Sequence, residues 1–462
     1  MTRIQNSMSR RSLMRKAGLL TALGPLFKMT EGSLSAQARS GPVNRASAPS
    51  DLKITDLRGL TIDPGWTSHD FPLIRIDTNQ GVYGLGEVFC GNVWTQAAIL
   101  KPFLVGRDPL QLVNGTLMAS MRNYGGDYPM GGGISAIDVA LHDIAGKVYG
   151  VPAWRLLGNK RTDRVLFYCD TDTQGSPDPK GYGAHMMTRK KQGFRFFKTD
   201  LGGGLVRNKP GAVDSRGVCT EKGLQYLCEY LAAVRDVIGE APLACDHFGR
   251  CNVDDGIRYA KAFEPYNLAW AEDLLDATGR NWRGYKKIAD STTTPILTGE
   301  NAFGLEERFK DLLDNRAVDA IHPDVCNSGG MAEVKRIADY AAMCGINVAI
   351  HQPGSPVASY ASAHVAATLP PANFLALEFH CAEVPFWDDL VKGAPKPTVN
   401  DGYLVVPDTP GLGIELNEPV VKEHLRRPGY AAVNGYFEPS TMFDVPLIGS
   451  YRQNPPRLPA AK

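Results

Sequence analysis

The alternation of apolar and polar positions is clearest in the stretch 318–351. A short apolar segment ends in the acid Asp324, and a turn at Gly329-Gly330 follows. Apolar residues then recur at helical spacing over 331–344, and a second apolar segment ends in His351. This pattern predicts a strand, a helix and a second strand, with an ionisable residue at the carboxyl end of each strand.

The same unit recurs on both sides of this stretch. Further apolar segments end in Asp246, Glu272, Glu300 and Glu378, and the six ionisable ends are spaced 24 to 28 residues apart. One strand, one helix and two loops need about this length in an eight-unit barrel of roughly 250 residues. The fold class predicted is therefore α/β, a TIM-like barrel of seven or eight β/α units. Because parallel strands end at one rim of a barrel, the six ionisable side chains are expected to meet there.

The start and the close of the barrel follow from the same periodicity. Its first strand is expected near Val165, and its second carries Lys198 and Asp200 on one face by the period of two. Lys198 is thus predicted to point into the barrel near the rim. Glu378 is expected to end the seventh strand.

The residues before the barrel predict a separate α+β domain. Alternating strand patterns run from residue 51 to about residue 103, with a hairpin turn at 79–81, and a helix is expected over 135–149. We assign 51–160 to this domain and 161–387 to the barrel. Residues 388–425 are expected to return to the first domain, and 426–462 to form a partly disordered extension. The Gly-rich stretches around Trp66 and at 124–133 are candidate lids or ordinary loops.

The first 38 residues have the layout of an export signal rather than of a folded element. Arg10-Arg11 precedes a short apolar region at 17–27, and an Ala36-Gln37-Ala38 cleavage pattern follows. This is typical of a twin-arginine signal peptide cleaved near Arg39, and it predicts a periplasmic protein. The alternative is a disordered basic tail. The apolar region is too short to span a membrane, and residues 39–50 are expected to be a linker.

Composition excludes several classes of partner. Lys and Arg number 50 against 49 Asp and Glu, which leaves a net charge of +1. So small a charge gives no positive electrostatic field that would attract nucleic acid. The nine cysteines are odd in number and show no CxxC spacing, so neither a disulfide framework nor zinc is expected. We expect a small-molecule ligand and a homo-oligomer, whose size the sequence leaves open.

Three of the strand ends suit a metal ion. Asp246, Glu272 and Glu300 come from consecutive predicted strands, and converging carboxylates repel each other unless a cation lies between them. Hard oxygen ligands without Cys or His favour Mg²⁺. Asp324 and His351 end neighbouring strands, where an Asp that accepts the Nδ1–H of a His makes that imidazole a stronger base.

These features together resemble the enolase superfamily, within it the mandelate racemase-like group, and most of all its acid-sugar dehydratases. The resemblance covers roughly residues 50–425. It is carried by the motifs at 135–158, 322–333 and 401–416 and by the strand ends Asp246, Glu272, Glu300, His351 and Glu378. It implies that a carboxylate substrate binds Mg²⁺, that the proton next to the carboxylate is removed, and that an enediolate forms. It also implies that the N-terminal domain caps the barrel mouth.

The resemblance implies roles for single residues as well. His351 is the base and Asp324 orients it, while Lys198 faces the substrate carboxylate. Glu378 is expected to stay protonated, with its pKa raised by neighbouring negative charge, and to hydrogen-bond the substrate.

Two positions depart from the family pattern. Similar enzymes carry Lys-x-Lys on the second strand, where this chain has Asp200 in place of the second base. Acid-sugar dehydratases often have a catalytic His two residues after the first metal ligand. Here His247 follows Asp246 directly, so strand alternation turns it away from the barrel axis unless the strand has ended.

The number of bases favours one reaction over others. Racemisation of a carbon acid normally needs a base on each face, whereas elimination needs one base and an acid that expels hydroxide. His351 could serve as both if the proton and the hydroxide leave the same face. We therefore expect an Mg²⁺-dependent lyase that dehydrates a sugar acid to a 2-keto-3-deoxy acid. The alternatives are a racemase, epimerase or cycloisomerase on the same scaffold, and a non-catalytic periplasmic binder of acid sugars.

Overall fold

The computed structural model describes residues 50–65, 69–89, 91–113, 131–171, 178–426, 435–441 and 443–444. The predicted signal peptide and all but the last residue of the linker lie outside the described residues. So do Trp66 and residues 124–130 of the two candidate lids.

The first domain is a three-stranded antiparallel sheet covered by helices. Its strands are β1 (Ile54–Ile62), β2 (Phe71–Thr78) and β3 (Tyr83–Glu87), and the predicted hairpin turn joins β2 to β3. The described helices are α1 (Thr95–Ala98), α2 (Lys101–Leu104), α3 (Pro109–Leu112), α4 (Gly131–Tyr149) and α5 (Trp154–Leu157). Helix α4 begins four residues before the predicted start. It lies so close to β3 that a Cβ atom on Gly84 or Gly86 would meet a backbone oxygen of α4 at 2.0 Å.

Eight parallel strands close the barrel that the sequence predicts. They are β4 (Arg164–Cys169), β5 (Phe197–Asp200), β6 (Leu243–Asp246), β7 (Trp270–Glu272), β8 (Ile296–Thr298), β9 (Ala320–Ile321), β10 (Asn347–Ile350) and β11 (Phe374–Phe379). Strand β11 pairs with β4 in parallel and completes the ring.

Within the described residues, a helix follows each of the first seven barrel strands. These helices are α6 (Pro179–Lys191), α7 (Glu221–Ile238), α8 (Val253–Phe263), α9 (Trp282–Ala289), α10 (Lys310–Asp314), α11 (Met331–Cys344) and α12 (Pro356–Ala366). A π-helical turn, Leu305–Phe309, precedes α10, and 3₁₀ turns occur at Gly203–Leu205, Glu264–Tyr266 and Trp387–Leu390. The strand–helix–strand unit predicted over 318–351 is confirmed as β9, α11 and β10.

A layer of side chains fills the centre of the barrel. It consists of Tyr168, Phe196, Ala244, Trp270, Leu297, Ala320, Ala349 and Ala376. Since successive strand residues alternate between the inside and the outside, the residue two positions further along also points inward. On seven of the eight strands that residue is polar and ionisable: Asp170, Lys198, Asp246, Glu272, His322, His351 and Glu378. The barrel thus places a layer of ionisable side chains directly above an apolar one.

A buried carboxylate joins the first domain to the barrel. Glu87, at the end of β3, accepts hydrogen bonds from the amides of Ser355 (2.9 Å) and Ala358 (3.2 Å) and from the Ser355 hydroxyl. These donors lie at the N-terminus of α12, where the backbone amides otherwise lack partners. The contact fixes the loop that follows His351 against the first domain.

The C-terminal part of the chain contacts both domains. Strand β12 (Val391–Lys392) pairs with β14 (Glu415–Leu416), and β13 (Tyr403–Val405) pairs with β4. After helix α13 (Glu418–Glu423), Leu425 forms a bridge with Ile62 of β1. In the described part of the extension, the Phe443 ring lies 5.9 Å from that of Trp94. No helix in the described ranges is long and apolar enough to cross a membrane.

Candidate active site

The carboxyl ends of the barrel strands gather the predicted ionisable residues at one rim. Glu272 and Glu378 are fully buried, and Asp246, Asp324 and His351 are nearly so. Charged groups are rarely buried this deeply unless they are paired or bind an ion. The rim is therefore the candidate active site.

Lys198 lies inside the ring of acids, as the strand alternation predicts. Its Nζ is 2.9 Å from Glu272 Oε1, 2.5 Å from Glu378 Oε1 and 3.9 Å from Asp246 Oδ2. Burial lowers the pKa of Lys198, but Glu272 and Glu378 outweigh that effect and hold it well above its usual value. Lys198 is thus a buried cation that balances part of the negative charge.

His351 and Asp324 form a dyad on adjacent strands. His351 Nδ1 donates to Asp324 Oδ2 at 2.7 Å, and its Nε2 lies 3.2 Å from Glu300 Oε2 and 3.5 Å from Glu378 Oε2. Burial lowers the pKa of His351, but Glu378, Glu300 and Asp324 outweigh it and raise the pKa to about 10. The Phe89 ring from the first domain stacks at 5.6 Å on the imidazole. His351 is thereby a strong base in a fixed orientation.

Two overlapping groups of ligand atoms could hold a metal ion in the described part of the chain. One contains Asp246, Glu272 and Asp273, and the other contains Glu272, Glu300 and His322. Glu272 belongs to both, whereas Asp246 and Glu300, which the sequence predicts together, fall into different groups. Asp246 and Glu272 are nevertheless partners in the register of β6 and β7.

The donor chemistry of this cluster fits a hard divalent cation. Burial raises the pKa of Asp246 and of Glu272 to about 7, and in each case a neighbouring carboxylate adds to the shift. Burial also raises the pKa of Glu300. Carboxylates that are this crowded are costly to ionise unless a cation joins them, and oxygen donors of this type select Mg²⁺, Ca²⁺ or Mn²⁺.

Glu378 differs from its predicted state and position. It lies on the eighth barrel strand rather than the seventh. Burial alone would raise its pKa, but Lys198, His351 and His322 outweigh burial and lower the pKa to about 2. The expectation of a protonated Glu378 was wrong, because it considered the neighbouring acids and not the Lys198 ammonium and the His351 imidazole, which contact this carboxylate.

His247 and Asp200 do not take the positions that a catalytic role predicts for them: His247 turns away from the rim, and Asp200 is only half-buried. His247 follows the end of β6 and turns outward: its ring stacks at 5.5 Å on Phe263 of α8, and its Nδ1 donates to the backbone oxygen of Glu272 at 3.1 Å. Burial lowers the pKa of His247 to about 4, so it is a neutral residue packed behind the sheet. Asp200 is half-buried and pairs in register with Asp246.

Sequence reasoning missed four polar residues of the rim. His322 contacts the Tyr168 hydroxyl through Nε2 and lies 3.4 Å from Glu272 through Nδ1. Asp273 has a backbone φ of +46° and accepts a hydrogen bond from Thr298. Asp170 and His380 are in contact at the seam between β4 and β11, with 2.6 Å between Oδ2 and Nε2. The strand alternation in the sequence could have identified His322, Asp170 and His380, since each lies two residues beyond an inward-facing position.

The comparisons with known families agree with this architecture. The model of the mandelate racemase/muconate lactonizing enzyme N-terminal domain matches residues 65–158, and the enolase C-terminal domain-like model matches residues 182–420. The second match alone covers more than half of the chain. The protein belongs to the mandelate racemase/muconate lactonizing enzyme family of the enolase superfamily.

Similar curated proteins carry the names of dehydratases. A D-xylonate dehydratase from Haloferax volcanii is 34% identical over 384 residues, covering 81% of this chain and 89% of that protein. The D-galactonate dehydratase family member RspA from Pantoea ananatis is 31% identical over 80% of this chain and 93% of its own length.

Solved structures share the fold. A mandelate racemase/muconate lactonizing enzyme-like protein from Rubrobacter xylanophilus has a TM-score of 0.74 and 31% identity, covering 84% of this chain and all of the other. The 3,6-anhydro-D-galactonate cycloisomerase from Zobellia galactanivorans has a TM-score of 0.68 and 27% identity, over 81% of this chain and all of its own.

We predict that titration calorimetry with Mg²⁺ will find one site whose affinity depends on the shared carboxylate. Glu272→Gln should weaken binding by at least about 100-fold, more than the 10- to 100-fold cost of removing a group that only supports a ligand. Asp246→Asn and Glu300→Gln should do the same, while Asp290→Asn on the surface should not. Full loss in Asp273→Asn with normal binding in Glu300→Gln would contradict the ligand set predicted from the sequence.

Proposed function

We propose that this protein is an Mg²⁺-dependent lyase that dehydrates a sugar acid to a 2-keto-3-deoxy acid through an enediolate. The observation that carries the proposal is the His351–Asp324 dyad. Asp324 holds Nδ1 of His351, and Nε2 of His351 lies beside a buried carboxylate cluster. A strong base next to a cation site is the arrangement that removal of a proton beside a carboxylate requires. The dehydratase names of the similar proteins support it.

Asp246, Glu272 and Glu300 would hold the Mg²⁺. Members of this superfamily generally use Mg²⁺, and the crowded, buried carboxylates suit it. When bound, the ion would attract the substrate carboxylate and offset the charge of the enediolate. Asp273 and His322 lie beside these ligands.

The residues of the chain supply base, orientation and charge. His351 takes the α-proton at Nε2, and Asp324 keeps Nδ1 protonated so that Nε2 is the atom that accepts. Lys198 faces the substrate carboxylate with a fixed positive charge. Glu378 contacts both Lys198 and His351 and holds them in place.

A cycloisomerase or epimerase on the same scaffold is the second candidate. It is supported by the similarity to a solved protein named as a cycloisomerase. It is disfavoured by the base count, since Asp200 replaces the second base. A non-catalytic binder of acid sugars would have no need of the His351–Asp324 dyad.

We expect the purified protein with Mg²⁺ to convert at least one aldonate or aldarate to a 2-keto acid. The panel should include D-xylonate, D-galactonate and D-mannonate, with 2-keto acid formation as the measurement. Chelation of the metal should abolish the signal. Epimerisation or ring opening without any 2-keto acid would overturn the dehydratase assignment in favour of the second candidate.

Replacement of the base should stop the first chemical step. We expect His351→Asn to lower turnover by at least about 10²–10⁴-fold, the usual contribution of a positioned base, while Mg²⁺ binding survives. Asp324→Asn should also lower turnover, because it leaves His351 in the wrong tautomer. The measurement is exchange of the α-proton in D₂O beside product formation. Exchange that survives in His351→Asn and vanishes in Lys198→Ala would make Lys198 the base and revive the epimerase assignment.

We also propose that the protein is exported to the periplasm by the twin-arginine route. The basis is the sequence layout of residues 1–38 alone. N-terminal sequencing of periplasmic material should start near Arg39, and the double change Arg10→Lys with Arg11→Lys should retain the protein in the cytoplasm. Arg15→Lys is the matched control. An intact Met1 on periplasmic protein would contradict a cleaved signal.

A further inference from the structure

A second His–Asp pair lies at the rim, where the barrel closes. His380 Nε2 is 2.6 Å from Asp170 Oδ2, and the two side chains are 13% and 4% exposed. Asp170 follows the first barrel strand and His380 follows the eighth, so the pair bridges the β4–β11 seam. It repeats the layout of Asp324 and His351, in which the Asp comes from one strand and the His from its neighbour.

The alternation of both strands points this pair into the barrel mouth. Asp170 lies two residues after Tyr168, and His380 lies two and four residues after Glu378 and Ala376, which all face inward. The ring of His69, from the first domain, lies 4.9 Å from that of His380. The pair thus lies between the cluster around Lys198 and the domain that covers the mouth.

Glu378, two residues before His380, lies 3.5 Å from His351 Nε2, which places the pair close to the base. The pKa of His69 is lowered to about 4 by burial, by His380 and by His351. Both imidazoles therefore lie close enough to act on His69. Burial would raise the pKa of Asp170, but Lys198 and His380 outweigh it and hold that carboxyl ionised. The Asp170 carboxylate contacts His380 through Nε2 and thereby orients the ring.

The proposed dehydration needs a group that this pair can supply. Hydroxide is a poor leaving group, so its departure requires an acid near the β-carbon of the substrate. Of the two groups that the sequence offers for this role, His247 faces away from the mouth, and His351 would have to carry out both proton transfers. Asp324 holds His351 from the sixth barrel strand, whereas Asp170 holds His380 from the first. The two dyads therefore flank the seventh and eighth strands from opposite sides.

Given the proposed dehydratase function, on which this inference rests, we propose that His380 is a second catalytic residue, the acid that protonates the departing hydroxyl. Asp170 is its positioning residue. Removal of the α-proton and loss of hydroxide are then divided between two histidines rather than performed by His351 alone.

The proposed step balances as follows. The electron pair of the enediolate forms the double bond between the α- and β-carbons, and the β-carbon–oxygen bond breaks with its electrons on oxygen. Nδ1 of the His380 imidazolium gives its proton to that oxygen, and water leaves. The enol product becomes the 2-keto-3-deoxy acid, while solvent takes the proton from His351 and returns one to His380. No oxidant or reductant is needed.

The test separates removal of the α-proton from loss of the hydroxyl group. The probes are the acid sugar that the wild-type enzyme dehydrates best in the panel above and its 3-deoxy-3-fluoro analogue, both with Mg²⁺ in D₂O. We expect His380→Asn to lower 2-keto acid formation by about 10²–10⁴-fold while α-deuterium still enters the unreacted sugar. Loss of fluoride, which needs little help from an acid, should stay within a few-fold of wild type.

Two further variants guard against a purely structural effect. Asp170→Asn should lower dehydration less than His380→Asn, with α-exchange and fluoride loss again retained. His185→Asn is the matched control, because His185 also pairs with a carboxylate, at 3.0 Å from Glu383, with the same 13% exposure but on α6 outside the barrel. It should leave all three rates unchanged. His380→Gln replaces His380→Asn if the latter fails to fold.

Each other outcome has a definite meaning. Equal loss of exchange, dehydration and fluoride release in the His380 variants would show a structural ion pair and overturn the inference, as would normal dehydration. Either result leaves the dehydratase function standing, because the wild-type enzyme still forms the 2-keto acid. A wild-type enzyme that exchanges the α-proton but forms no 2-keto acid would overturn the function itself and the role of His380 with it.

Discussion

The rim of this barrel depends on the balance of buried charge around Lys198. The ammonium group contacts Glu272 and Glu378, and all three side chains are buried. Carboxylates so close together would repel each other or bind protons without a cation among them. The same balance raises the pKa of His351 and lowers that of Glu378. The proposed base, its electrostatic partner and the proposed metal ligands are therefore one coupled system rather than separate residues.

The barrel produces this coupling by geometry. One inward layer is apolar, with Tyr168, Trp270 and several alanines, and the next layer toward the carboxyl ends is ionisable. The small side chains leave room for large rings, and the large rings exclude water beneath the charges. Trp270 also donates to Glu272 at 2.8 Å, which ties the apolar layer to the ligand cluster. This apolar layer orients the charged side chains above it and keeps the local dielectric constant low.

The first domain acts on the site through three contacts. Phe89 stacks on His351, His69 lies against His380, and Glu87 fixes the loop after β10. Each comes from the sheet of the first domain or from the residues that border it. The domain therefore shapes the side of the mouth that carries both His–Asp pairs.

Sequence periodicity alone determined the barrel, the hairpin of the first domain and most of the rim. An acid or histidine at the end of each apolar segment identifies a strand end, because the period of a strand and the length of a β/α unit are fixed by backbone geometry. It could not determine the charge state of Glu378, which depends on how closely Lys198 and His351 approach it in space. Nor could it pair Asp170 with His380, since they are far apart in the chain and meet only because the eighth strand closes against the first. Periodicity is a local property, whereas a pKa and a ring closure depend on distances that only tertiary structure sets.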